Sequence, residues 1–257
     1  MTFSQKIQAA CRAKEELIDQ HMVRYAVKSI FAGAFLTLST GVGGIAADVI
    51  NQIHPSLGRF AFPFIFSFGL VYILFLNSEL VTSNMMYLTA GAYYRYISVK
   101  KVLKILVVCT LFNLVGAALI AALFNQSFAY TLVTPKSFLV GVVQTKLAKT
   151  SSQIFFDAII ANIFVNIAIL SYLLVKDQTA KTILVISAIF MFVFMNTEHL
   201  VANFSSFLLM GFNSVHLDGY NLANVLRHWG ISFIGNWIGG GLLIGAAYAF
   251  LNKKENQ

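Results

Sequence analysis

Charge is what this chain has least of. Of its 257 residues, 11% are Asp, Glu, Lys or Arg, while 58% are hydrophobic. A soluble domain carries about 25% charged and about 45–50% apolar residues. So few charges cannot cover a soluble fold of this size, and one core cannot hide the surplus apolar surface. The bilayer is the natural solvent. Proline is nearly absent, with Pro55, Pro63 and Pro135 alone. A neutral-solute channel of the aquaporin kind would normally carry two Asn-Pro-Ala boxes, and these prolines supply neither. The two cysteines, Cys11 and Cys109, lie far apart, one in a polar segment and one in an apolar run. Neither a disulfide nor a metal site is expected from them. No nucleophile–base pair, metal cluster or phosphate-cradling glycine loop stands out, so an enzyme is not expected, nor a cofactor.

What charge there is sums to +8. The basic residues sit between long apolar runs and form no face of their own, which argues against a nucleic-acid partner. They read instead as topology signals. Spanning helices need about 20 predominantly apolar residues. Six stretches qualify, at 25–50, 60–94, 102–124, 154–175, 183–212 and 230–251. With the N-terminus inside, the inner segments hold Lys6, Arg12, Lys14, Arg24 and Lys28, then Arg95, Lys100, Lys101 and Lys104, then Lys176 and Lys181, then Lys253 and Lys254. The outer segments hold Arg59, Lys136, Lys146, Lys149 and Arg227. This bias places both termini in the cytoplasm of a multi-pass plasma-membrane protein.

The fold expected is all-α and polytopic, one transmembrane domain over 1–257. Residues 1–24 are polar and lack the apolar core of a signal peptide. Phe3, Ile7, Leu17 and Ile18 suit an amphipathic helix on the inner membrane face or against a neighbouring subunit. A first repeat spans 25–124, a connecting loop 125–153, a second repeat 154–251 and a cytoplasmic tail 252–257. Glycines at 33, 41, 43 and 44 in the first span, and at 235, 239, 241 and 245 in the last, allow helices to approach closely.

The second and fifth spans are too long for one simple crossing, and each has a polar centre. Asn77-Ser78-Glu79-Leu80-Val81-Thr82-Ser83-Asn84 resembles Asn196-Thr197-Glu198-His199-Leu200-Val201-Ala202-Asn203. Matching Leu-Val to Leu-Val makes His199 an inserted residue. Corresponding clusters in two three-span halves predict an inverted repeat with broken helices. An unwound segment at membrane depth must be buried in protein or line a cavity. A half-helix N-terminus there offers free N–H groups and partial positive charge, which suits an anion. Glu79 and Glu198, with Asn84 and Asn203, are expected to fix the loops, the carboxylates by accepting from free backbone N–H groups. Proton exchange by the glutamates is the competing reading. His199 titrates near neutrality and sits in the break itself, so it is a pore-centre candidate, with the Thr82 hydroxyl in the facing break.

These residues resemble the formate–nitrite transporter family. The resemblance covers nearly the whole chain and is most specific at Glu79-Leu80-Val81-Thr82-Ser83-Asn84, Glu198-His199-Leu200-Val201-Ala202-Asn203 and Gly235-Asn236-Trp237-Ile238-Gly239-Gly240. It implies an aquaporin-like fold and a homopentamer with one pore per protomer. It also implies a central His199 with Thr82 and an outer vestibule with Lys149 and Asn162. Apolar constrictions are implied at Phe66, Leu70, Leu80 and Phe192. The chain departs from the family at Asn77-Ser78, Val81 and Asn196-Thr197, beside the pore. The expected substrate is a small monovalent anion or its weak acid, formate or nitrite first, then lactate, acetate or hydrosulfide. A proton is the expected co-partner.

Overall fold

A computed structural model describes residues 1–253. Of the expected tail 252–257, residues 254–257 lie outside the described residues, and Lys254 with them. The described chain is helical. Helix α1 is Phe3–Gln20, α2 Met22–Asn51, α3 Gly58–Phe75, α4 Val81–Tyr93 and α5 Val99–Gln126. Then come α6 Phe128–Thr131, α7 Phe138–Leu147, α8 Ser151–Leu174, α9 Gln178–Phe194, α10 Leu200–Gly211 and α11 Leu222–Asn236. The last helix widens into a π-helical stretch, Trp237–Ala246, and ends as α12, Ala247–Leu251.

Five helical stretches are long and apolar enough to cross a membrane: α2, α3, α5, α8 and Leu222–Leu251. The span expected over 60–94 is divided into α3 and α4, and that over 183–212 into α9 and α10. The halves interlock through these short helices. Helix α4 of the first half packs on Trp237–Ala246 and α8 of the second, and α10 of the second half packs on α5 and α2 of the first. The long helices pair within halves, α2 with α5 and α8 with α11 and its π-helical continuation. Both crossings are backbone-close. A Cβ on Gly116 would lie 1.9 Å from the Ile30 carbonyl oxygen, and one on Gly239 2.2 Å from the Ile159 carbonyl oxygen.

Two segments differ from expectation. Phe3, Ile7, Cys11, Lys14 and Ile18 recur three or four apart on α1, and all are buried. This stripe packs on α4 and α2 of the same protomer rather than on lipid. Burial pushes the Cys11 thiol up to about 11, so it stays a neutral packing group. The helix end is tied by Asp19 to Lys101 at 2.6 Å. Lys101 holds the Asp19 carboxyl below the usual carboxylate range. That tie is complete above the ordinary Asp pKa and is lost as pH falls through the lowered one. The connection 125–153 is not an irregular loop either. It contains α7, whose Leu139, Val140 and Val143 are buried.

The two close crossings give a direct test. Gly116→Ala and Gly239→Ala each lower the thermal midpoint of the detergent-solubilised protein, at a cost on the order of 1–3 kcal/mol from forced overpacking. Gly230→Ala, where a Cβ meets nothing within 4 Å, does not lower it.

Candidate permeation site at the two helix breaks

Both breaks are built in one way. Asn77 and Asn196 turn the chain with φ of 55° and 54°, in the left-handed region that Asn tolerates. The next N–H turns back into the preceding helix, from Ser78 to the Ile73 carbonyl at 2.9 Å and from Thr197 to the Phe192 carbonyl at 3.3 Å. The following helix starts at matching N-caps, Leu80 with φ −104°, ψ 126° and His199 with φ −101°, ψ 122°. Asn77/Asn196, Glu79/Glu198, Leu80/His199 and Asn84/Asn203 therefore run in step. No residue is inserted. His199 occupies the place of Leu80, and Thr82 stands where the second half has Val201. Residue identity suggests a shifted frame; the backbone turn and cap set the true one.

The free backbone groups are not satisfied by the glutamates, contrary to expectation. Two asparagines do that work. Asn113 Oδ1 accepts from the Val81 N–H at 3.0 Å, and Asn236 Oδ1 from the Leu200 N–H at 2.8 Å. The Asn113 amide donates to the Glu79 and Ser29 carbonyls, and the Asn236 amide to the Glu198 and Ala158 carbonyls. Each carboxylate binds cations instead. Glu79 takes Lys14 of α1 at 2.7 Å and the Asn84 amide at 2.9 Å. Glu198 takes Lys146 of α7 at 2.8 Å, Lys149 at 2.6 Å and the Asn203 amide at 2.9 Å. So α1 and α7 play the same part in the two halves, each bringing a buried lysine to the glutamate of its break.

Two vestibule candidates sit differently from their expected roles. Lys149 is not a free cation; it also binds Asp157 at 2.7 Å and the Asn196 carbonyl at 2.6 Å. Asn162 is fully buried at the level of the breaks, where its amide donates to the Asn236 carbonyl at 2.7 Å and the Thr82 carbonyl at 3.3 Å. Apart from Asp157, eight residues from Lys149, these neighbours lie far off in the chain, so spacing does not reveal them.

At the centre the two breaks touch. Thr82 Oγ1 and His199 Nε2 are 2.7 Å apart. His199 Nδ1 accepts from the Ala202 N–H at 3.1 Å, capping α10. Nδ1 therefore carries the lone pair and Nε2 the proton, so Nε2–H donates to Thr82 and leaves the hydroxyl hydrogen for another acceptor. Three small spaces lie along this line. The middle one, about 10 Å³, has room for roughly one water and is lined by Phe66, Leu70, Leu80, Phe192 and His199 among others. Phe66 and Phe192 also line a space of about 30 Å³ with Lys146, Asn196 and Asn203, on the side expected to face outward. Their rings meet edge-on with centroids 6.1 Å apart, forming the wall between the two spaces. Leu80 also lines a space of about 250 Å³ with Lys14, Lys28, Asn77 and Ser78, on the side expected to face inward. A narrow apolar neck thus lies on each side of the histidine, with lysines beyond both.

The sequence profile of the formate/nitrite transporter family matches residues 3–250. The chain belongs to this family. It is 28% identical over 233 residues to the nitrite transporter NirC of Salmonella typhimurium, covering 90% of this chain and 84% of that one. A solved ion channel of the family superposes with a TM-score of 0.90 at 25% identity, covering 97% of this chain and 98% of that chain. A structure described as a pentameric formate channel with formate bound superposes with a TM-score of 0.70 at 18% identity, covering 89% of this chain and 96% of that chain. Membership makes this a multi-pass membrane protein for transport of small anions or weak acids, in a family of transporters and channels rather than enzymes.

Sequence reasoning leaves several residues of this transporter without a role. Asn113 and Asn236 are each polar residues inside apolar runs, at corresponding places in the third and sixth spans, and that pairing is the available signal. Lys14 and Lys146 look like ordinary surface lysines. His228, just before the sixth apolar run, is fully buried on α11, and its place in the sequence gives no sign of that.

The ion pairs predict an order of stability. Lys14→Met leaves the Glu79 carboxylate buried with the Asn84 amide alone, and breaking such a pair costs about 3–5 kcal/mol. Lys146→Met costs less, because Lys149 still binds Glu198. Thermal unfolding in detergent reads the order, and Lys14→Met combined with Glu79→Gln recovers part of the loss.

Proposed function

We propose that each protomer conducts small monovalent anions, formate or nitrite first, across the plasma membrane as the weak acid formed during passage. Lactate, acetate and hydrosulfide are secondary candidates. The observation that carries this reading is His199, which touches Thr82 Oγ1 and lines the small space between two apolar necks, a space that suits a triatomic anion better than a larger acid. Similarity to a pentameric formate channel supports a homopentamer with a pore in every subunit. The lysine bias supports both termini in the cytoplasm.

Lys28 at the inner space and Arg227 beside the Glu198 cluster, neither paired with a carboxylate among the described residues, raise the local anion concentration. Phe66 and Phe192 then strip water from the entering anion. A bare charge is costly there, so the pKa of the acid rises and it takes a proton. The proton comes from vestibule water. His199 is a poor source, because losing the Nε2 proton while Nδ1 accepts from Ala202 would leave an imidazolate. Gaining a proton on Nδ1 would instead break the cap of α10. His199 accordingly stays neutral and orients the Thr82 hydroxyl, whose hydrogen is offered to the solute between the necks. Lys14–Glu79 and Lys146/Lys149–Glu198 hold the two breaks in register.

Proteoliposome flux tests this with formate, nitrite, lactate, acetate and hydrosulfide at two pH values. Formate or nitrite is carried fastest, and its flux rises as pH falls at constant total solute. Thr82→Val removes one hydrogen bond to a charged or strongly polar solute, of about 1.5–3 kcal/mol, and flux falls roughly ten- to hundredfold. An unchanged rate in that variant overturns the central role of the pair.

A further inference from the structure

We propose that His228 sets the charge of the outer entrance by taking up a proton beside Glu198, so that acid on the outer side makes the entrance a stronger trap for the anion. The proposal rests on the transport reading above and adds a positioning residue to it. His228 is fully buried on α11. Its Nε2 lies 3.3 Å from Glu198 Oε2, and neither ring nitrogen has a well-formed hydrogen bond. Its ring packs on Phe207, with centroids 4.9 Å apart. A buried imidazole without hydrogen-bond partners is a costly way to fill space.

The first half shows that the fold does not need it. Asn84 donates to Cys109 on α5 as Asn203 donates to Ser232 on α11, and Asn113 matches Asn236. In this frame His228 stands where α5 has Ile105, which is fully buried. Packing at that position is met by an aliphatic side chain on the inner half and by a titratable one on the outer half.

The charges facing His228 can be named from each neighbouring element. The break supplies Glu198, α7 supplies Lys146, the α7–α8 link supplies Lys149 and α8 supplies Asp157. Helix α10 and the π-helical stretch bring no charged side chain to it. On its own helix, Arg227 donates to Ser151 Oγ and the Lys149 carbonyl. Two lysines balance Glu198 and Asp157, and Arg227 leaves the cluster with one net positive charge while His228 is neutral. A proton adding at Nδ1 raises it to two. Glu198 Oε2 is already shared by Lys146 and the Asn203 amide. A charged imidazole competes for that oxygen and loosens the hold on Lys146, whose side chain lines the outer space.

The test uses the full-length protein in proteoliposomes, with outer pH varied from about 7.5 to about 4.5, across and below the range of a free imidazole, because burial disfavours the charged ring. In the wild type the KM for formate or nitrite presented outside falls on the order of tenfold with acid, as expected for one added charge near the entrance. In His228→Gln and His228→Asn it stays flat, with the maximal rate little changed. The same KM profile in wild type and variants overturns the proposal. A second readout needs no transported solute. Trp229 meets Phe204 and Phe207 edge-on beside His228, so in a Trp237→Phe background its fluorescence is quenched as His228 gains charge. His228→Gln abolishes that titration. If the wild type carries none of these anions, the transport reading fails, and the fluorescence still decides on proton uptake: a titration absent, or unaltered by His228→Gln, overturns it.

Discussion

A helix broken inside a bilayer exposes backbone groups that no solvent can satisfy, and everything at this site follows from how they are satisfied. Asn113 and Asn236 do so from neighbouring helices. Each side-chain amide copies a missing peptide, accepting from the first N–H of the new helix and donating to the carbonyl just before it. With the backbone closed this way, the N-terminal ends of α4 and α10 can meet at the middle of the protein. The glutamates are then free to bind lysines. Because α1 and α7 deliver those lysines, each break is locked to an element outside the spans.

On this symmetric frame the function comes from asymmetric positions. Leu80 and His199 share one cap position, and Thr82 and Val201 share another. The result is a single hydroxyl–imidazole contact rather than two equivalent ones. The same holds at the entrances. Glu79 faces one lysine, carried on a helix that closes the inner space, whereas Glu198 faces two lysines and an imidazole.

The bilayer class, the positions of the breaks and the pairing of the halves are legible in the sequence because they rest on local patterns: long apolar runs interrupted by Asn, Glu and His. The alignment within the breaks is less so. Leu80-Val81 invites matching with Leu200-Val201, yet the frame is set by the left-handed Asn and the N-cap, which constrain backbone and not side-chain type. The ion pairs are illegible for another reason. Lys14 meets Glu79 and Lys146 meets Glu198 across 65 and 52 residues of chain, and polar segments before a span normally read as solvated. Lys149 looks like an isolated outer cation for the same reason.

The central claim is that solute crosses each protomer through the space between the two necks, and not along the axis of an assembly or through lipid. Leu70→Trp fills that space from the wall of α3 without touching the asparagine bridges or the ion pairs. Formate and nitrite flux of this variant in proteoliposomes tests the claim most directly. The account predicts flux near that of empty vesicles while the protein keeps the size of the wild type and a cooperative thermal transition, lowered only by the overpacking of about 1–3 kcal/mol. Flux at the wild-type rate would contradict it.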